Sequence, residues 1–295
     1  GSVAMRPLLD LFDLLWPRHC LACGVPMRAG ESRPASAAAE IDRPAAVSPG
    51  GWTRGGSAAC GSPGICAGTL AGAPPLGLCP LCHGRLAAID PLASCATCAL
   101  PLAPATRPQR CGRCVADPPA FERLTALWRY ESPLKEVVQA FKFGRLDFLG
   151  AHFARALGRV LADRQRTESD WQVPDLFVPL PLPWPRRLAR GFNQTELLVG
   201  PLAREYDRPC PRALARSLFT PHQTGRKRAE RARGAPFRVP DPGAVAGRSI
   251  LLVDDVLTTG ATVRGASAAL RRAGARCVEV AVLGWTPLEV PPRES

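Results

Sequence analysis

The apolar positions of the carboxyl-terminal half alternate between strand and helix patterns. Ile250 to Val253 are apolar without interruption, as in a strand buried on both faces of a parallel sheet. Asp254 and Asp255 follow at its carboxyl end. After a Thr-Thr-Gly turn, Val263, Ala266, Leu270 and Ala273 recur at helical spacing, and Gly274 is placed to stop the helix. Cys277 to Leu283 is again β-rich, so residues 250–283 read as one strand, helix, strand unit with a right-handed crossover. Upstream, Leu124 to Tyr130 reads as a strand. Ser132 and Pro133 read as the N-cap and first turn of a helix with Leu134, Val137, Val138 and Phe141 on its apolar face. Phe153, Leu157, Val160 and Leu161 mark a second helix, and Asp175 to Pro181 a strand that ends in prolines. The pattern predicts an α/β fold with a parallel sheet.

In open α/β sheets, ligands bind at the carboxyl ends of the strands, which is where Asp254 and Asp255 stand. From Thr258 to Thr262 the chain offers hydroxyls, a glycine that tolerates positive φ and free amides at a helix start, the parts of an anion cradle. Paired acids at a strand end often only cap the next turn. Joined to Thr-Thr-Gly-x-Thr at fixed offsets, they point to a site for a phosphate and a sugar. The run from Ile250 to Thr262 resembles the phosphoribosyl-pyrophosphate (PRPP) loop of type I phosphoribosyltransferases. That resemblance implies a catalytic pair, Asp254 and Asp255, on the ribose hydroxyls, and a 5′-phosphate pocket lined by Val256, Leu257, Thr258, Thr259, Gly260, Ala261 and Thr262. It also implies Mg²⁺ accompanying PRPP.

A chain of 295 residues has room for about two domains and a substantial core. Its 46% apolar content includes much alanine, which buries little surface. The net charge of +13 points to anionic partners such as phosphates, pyrophosphate or nucleic acid without choosing among them. Leu8 to Trp16 has an apolar stripe but carries two acids and no small-residue cleavage site, so it is not read as a secretion signal. No run approaches the ~20 apolar residues of a membrane span, and the expected place is the cytoplasm, with no membrane insertion.

Ten of the twelve cysteines lie before residue 115, and eight form Cys-x-x-Cys pairs: Cys20/Cys23, Cys79/Cys82, Cys95/Cys98 and Cys111/Cys114. In a reducing compartment such pairs read as metal knuckles, two to a tetrahedral Cys₄ zinc site. Four knuckles predict two structural Zn²⁺ ions, closed to water and substrate. Chain order groups Cys20, Cys23, Cys79 and Cys82 apart from Cys95, Cys98, Cys111 and Cys114, but Cys82–Cys95 and Cys98–Cys111 are equally spaced, so spacing leaves the grouping open. Disulfides and a redox pair are the competing explanations. Gly24 and Gly84 follow knuckles where the backbone is expected to turn tightly. Residues 28–75, mostly Ala, Pro, Gly and Ser, read as a disordered insert, with Cys60 and Cys66 as free thiols.

After the strand at Asp175 comes a basic stretch with Arg186, Arg187 and Arg190, then Gly191-Phe192-Asn193-Gln194. Guanidinium forks suit pyrophosphate, although each arginine could equally sit on a solvated face. Lys142 ends its helix, where it either complements the helix dipole from solvent or reaches a phosphate. With the Phe-Lys-Phe segment and the amino-terminal knuckles, this stretch resembles the ComF family, whose members join a zinc ribbon to a phosphoribosyltransferase-like domain and whose best-known members act in DNA uptake. The resemblance implies a type I phosphoribosyltransferase-like parallel sheet behind an N-terminal Cys₄ zinc-ribbon domain, with Arg186, Arg187, Arg190 and Lys142 on pyrophosphate or substrate. The basic run Thr220 to Arg233 resembles the family's mobile loop, but departs from it in lacking an apolar residue near Arg226 and an asparagine after Arg231.

The expected organisation is a helix over 1–18, a double zinc ribbon over 19–116 interrupted by the insert, a phosphoribosyltransferase-like domain over 120–287 and a tail over 288–295. Two functions fit. One is a PRPP-binding protein serving natural transformation, with single-stranded DNA and competence proteins as partners. The alternative is an active transferase acting on a base or amine that no segment identifies.

Overall fold

The computed structural model describes residues 19–27, 76–105, 109–144, 146–216 and 237–286. The segments expected as an amino-terminal helix, insert, basic loop and tail, with Cys60 and Cys66, lie outside the described residues.

Four parallel strands form the sheet: β1 (Arg123–Arg129), β2 (Leu176–Pro179), β5 (Ser249–Leu257) and β6 (Cys277–Trp285), in the order β1-β6-β5-β2. A two-residue antiparallel pair, β3 (Ala215–Arg216) with β4 (Phe237–Arg238), stands apart. The helices are α1 (Pro80–Gly84), α2 (Gly112–Ala116), α3 (Leu134–Phe143), α4 (Phe148–Thr167), α5 (Trp184–Arg190), α6 (Gln194–Glu205) and α7 (Ala261–Arg272). β5, α7 and β6 make the expected crossover unit, with β5 and β6 as parallel neighbours.

The uninterrupted apolar run of β5 has its cause in two covered faces. Leu251 and Val253 pack in one cluster with Val137, Phe141, Phe153, Leu157 and Leu198 of α3, α4 and α6. Ile250 and Leu252 pack in another with Val263, Ala266 and Leu270 of α7. Close helix packing adds to the first: a Cβ on Gly150 of α4 would lie 2.8 Å from the Leu197 carbonyl oxygen of α6.

Several boundaries differ from the sequence reading. β5 does not end at Val253; its ladder continues through the acids, with Asp254 opposite Val282 and Leu257 opposite Trp285. Backbone pairing is indifferent to a polar side chain as long as β6 runs alongside, and β6 reaches Trp285. β2 stops at Pro179, and α4 extends to twenty residues. The α3 N-cap is Pro133, with no side-chain cap hydrogen bond, so Ser132 does not play the expected part. Within the basic stretch after β2, Trp184–Arg190 form α5, a helix that the sequence reading did not assign.

The cysteine-bearing segment is fastened to this sheet. The outer edge of β1 exchanges hydrogen bonds with the chain at Ala87–Ile89, Arg129 N–H donating to Ala87 O at 2.8 Å and Ile89 N–H to Leu127 O at 3.0 Å. The edge is therefore not left bare. Cys20, Leu76, Leu78 and Cys82 share the cluster that holds Trp128 and Phe141.

Candidate functional site

The carboxyl end of the sheet gathers charge of both signs. Asp255 is buried, 8% exposed, and its Oδ1 lies 2.9 Å from Lys142 Nζ at the end of α3. Lys142 is not a solvated lysine; its side chain is held against Asp255. Asp254 is pushed up to about 7, first by burial and then by the charge on Asp255, with Lys142 and Arg216 opposing. The peptide N–H of Asp255 donates to Asp254 Oδ1 at 2.8 Å.

Two arginines complete the ring. Arg190, the last residue of α5, lies over the ring of Phe143 at 4.6 Å. Burial lowers its pKa, Asp255 opposes that, and neighbouring Arg186 adds to it. Arg216 of β3 is half-buried, lowered by burial and by Arg186 and raised by Asp254. Arg190 lies near Asp255 and Arg186 near Arg190 and Arg216, while Arg186 and Arg187 are both exposed on the same short helix. Arg216 escaped the sequence reading, because nothing around Ala213-Leu214 marks it. Tyr130 was also missed; burial raises its pKa, with Asp255 and then Glu136 adding to the shift. A Cβ on Gly284 would lie 2.9 Å from the Tyr130 ring, so the missing side chain lets that ring close on the strand end.

Behind the acids, Thr258 and Thr259 are exposed, and Gly260 adopts φ 74° to turn the chain into α7. Ala261 N–H meets Thr259 Oγ1 at 3.4 Å. Among the described residues the amides of Thr258, Thr259, Gly260, Thr262 and Val263 have no hydrogen-bond partner. α7 has no side-chain cap, so its first turn presents free donors and the positive end of its dipole. Val256 and Leu257 remain in the strand, with Leu257 buried in the core.

The Asn-Gln-Thr segment that opens α6 ties the walls of this site together. Asn193 Nδ2 and Thr195 Oγ1 donate to Leu180 O at 3.2 and 2.8 Å, just beyond β2. Gln194 Nε2 donates to Lys142 O at 3.2 Å. All three side chains are buried.

The eight knuckle cysteines form two tetrads, Cys20, Cys23, Cys79, Cys82 and Cys95, Cys98, Cys111, Cys114, with the sulfurs of each within 4.8 Å of one another. A tetrahedral shell with Zn–S bonds of about 2.3 Å has edges of about 3.8 Å; Cys23 and Cys79 are 3.8 Å apart and Cys98 and Cys111 3.6 Å. Both tetrads fit zinc. The grouping that spacing left open is settled by distance, and all eight appear as free thiols rather than disulfides. Burial resists ionisation of Cys20, but hydrogen bonds from the backbone at Cys23, Cys79 and Ala22 bring it down to about 6. Burial, the neighbouring thiols and the charge on Cys20 push Cys82 up to about 12. Four thiolates this close need a cation. Gly24 turns at φ 71° as expected, while Gly84 ends α1 without positive φ.

A cleft of about 540 Å³ opens at the opposite end of the sheet, lined by Thr97, Arg110, Arg123, Arg164, Glu168 and Trp171. Its charges are spent internally, Arg164 on Glu279 at 2.7 Å and Arg123 on Glu168 at 2.7 Å.

Comparison with known proteins meets this geometry. The family described as phosphoribosyl transferase domain matches residues 153–287. The DNA utilization protein YhgH of Escherichia coli is 36% identical over 175 residues, covering 58% of this chain and 75% of that protein. Competence protein F of Haemophilus influenzae is 31% identical over 176 residues, 58% of this chain and 76% of that protein. Among solved structures, the glutamine PRPP amidotransferase of B. subtilis is similar at 20% identity and a TM-score of 0.34; the match covers 49% of this chain and 30% of that enzyme.

Proposed function

Since this chain belongs to the ComF family, we propose that it binds PRPP at the carboxyl end of its sheet and serves DNA uptake. The carrying observation is the juxtaposition of the Asp254–Asp255 pair with the unpartnered amides of Thr258 to Val263. Sugar hydroxyls suit carboxylates, which accept two hydrogen bonds each, and a terminal phosphate suits a helix start with free donors. Val256 to Thr262 then follow the 5′-phosphate side, and Asp254 and Asp255 the ribose.

Arg186, Arg190 and Arg216 supply the positive charge for a pyrophosphate beyond the ribose, with Lys142 on the acid side. Arg187, exposed on α5, belongs to the rim. Mg²⁺ carried in with PRPP would neutralise part of the pyrophosphate charge and share the ribose oxygens. The protein's own residues orient the sugar and hold its two charged ends apart, the arrangement that electrostatic stabilisation of a departing pyrophosphate would use. The competence-type role rests on the relatives named competence protein F and DNA utilization protein; a cytoplasmic protein working with single-stranded DNA and competence proteins is the setting we propose with it. The zinc ribbon at residues 19–116 acts as structure, fastened to the edge of the sheet that carries the site.

Calorimetric titration of PRPP with Mg²⁺ tests the reading. Saturable heat that is lost in Asp255→Asn supports it, and transformation assays with the same variant test whether the pocket serves DNA uptake. A pyrophosphate-release screen over bases and amines separates a ligand-binding protein from an active transferase.

A further inference from the structure

Lys142 sits in the last turn of α3, where carbonyl groups lack intrahelical partners. The helix stops at Gly144, whose N–H turns back to Ala140 O at 2.7 Å; a Cβ there would lie 2.6 Å from that same oxygen. The carbonyl of Lys142 is instead met from another helix, by Gln194 Nε2 at 3.2 Å. Only the NH₂ end of the amide can serve a carbonyl, so its orientation is fixed. Gln194 is 0% exposed and its Oε1 has no partner among the described residues. A half-satisfied buried amide costs stability, so the contribution of this side chain lies in what it places. Fourteen residues of chain, 180–193, lead from β2 to Gln194 through α5, and the neighbouring Asn193 and Thr195 hold Leu180 O at the root of that excursion.

The geometry points to Gln194 as a positioning residue: by holding the Lys142 carbonyl, it sets the lysine ammonium on Asp255 and locks α3 to the wall that carries Arg190. This deepens the PRPP reading and rests on it for its functional part. Lys142 then arrives at the ribose end already oriented, and ligand entry needs a shift of one side chain rather than a rebuilt helix end.

The test uses the full chain. Gln194→Met keeps the size and removes the donor; Gln194→Asn, which withdraws the amide from the carbonyl, replaces it should Gln194→Met not fold. Acylation of Lys142 by an N-hydroxysuccinimide ester is followed by mass spectrometry, with exposed Lys135 as the internal reference. Loss of the hydrogen bond is expected to speed labelling of Lys142 about five- to tenfold with Lys135 unchanged. PRPP–Mg²⁺ affinity is expected to weaken by a similar factor, and in a Lys142→Met background the glutamine substitution should add nothing to the affinity loss while changing the melting temperature as before. Unchanged labelling of Lys142, or an equal affinity loss in both backgrounds, overturns the proposal. Absence of PRPP binding by the wild-type protein refutes the functional part with the PRPP reading, while the labelling ratio still decides the role of Gln194.

Discussion

Lys142 Nζ and Asp255 Oδ1 stand 2.9 Å apart, with side chains 17% and 11% exposed, and join the end of α3 to the end of β5. Removing one partner of a largely buried pair leaves the other charge uncompensated. Lys142→Met is therefore expected to destabilise the protein by about 2–3 kcal/mol in urea unfolding at neutral pH. The double variant Lys142→Met with Asp255→Asn should recover most of that loss. An additive double variant would show that the pair does not interact.

Asp254 makes stability depend on pH. Its folded pKa of about 7 lies above the ordinary carboxylate value of 3.8, so the native state holds the proton more tightly. Its favourable contribution is full below about pH 4 and is lost as pH rises toward and through 7. Asp254→Asn should therefore raise stability at pH 8, by about 1–2 kcal/mol, and the gain should shrink toward pH 4. Denaturant midpoints measured across that range check the sign.

Metal analysis of the purified protein should return two zinc ions per chain. Cys82→Ser and Cys114→Ser should each remove one. The first loss should lower the melting temperature more, because Cys20 and Cys82 share the core of Trp128 and Phe141, whereas Cys95, Cys111 and Cys114 form a small cluster of their own. Equal losses would contradict that difference in packing.

The turn into α7 depends on backbone freedom. Gly260 has φ 74° and the nearest atom to an added Cβ is Leu257 Cδ2 at 4.0 Å, so space does not forbid a side chain but conformation does. Gly260→Val is expected to cost about 1–2 kcal/mol and to weaken PRPP binding more than tenfold, read by calorimetry. Retained affinity would separate the turn from the phosphate.

Much of this architecture was legible in the residues. The run Ile250 to Val253 gave its strand because both faces are covered, and the helix from Val263 to Leu270 stands where its spacing put it. That the knuckle cysteines would converge in fours was legible, but their grouping was not, since equal spacings need distances to separate them. The end of β5 was misread because a ladder continues through acids that hydropathy treats as a stop. Lys142 gave no sign in the sequence of its pairing with Asp255, for that partner lies more than a hundred positions away. Arg216 carried no local signal, because its place beside Asp254 comes from tertiary packing alone.

The central claim is that the acid-tipped strand and the amide-lined turn together hold a phosphorylated ribose. Isothermal titration of PRPP into the zinc-loaded wild-type chain in Mg²⁺ tests it most directly. One saturating site per chain is expected, competed by ribose 5-phosphate; a titration with no heat of binding, repeated at two temperatures, would contradict the claim.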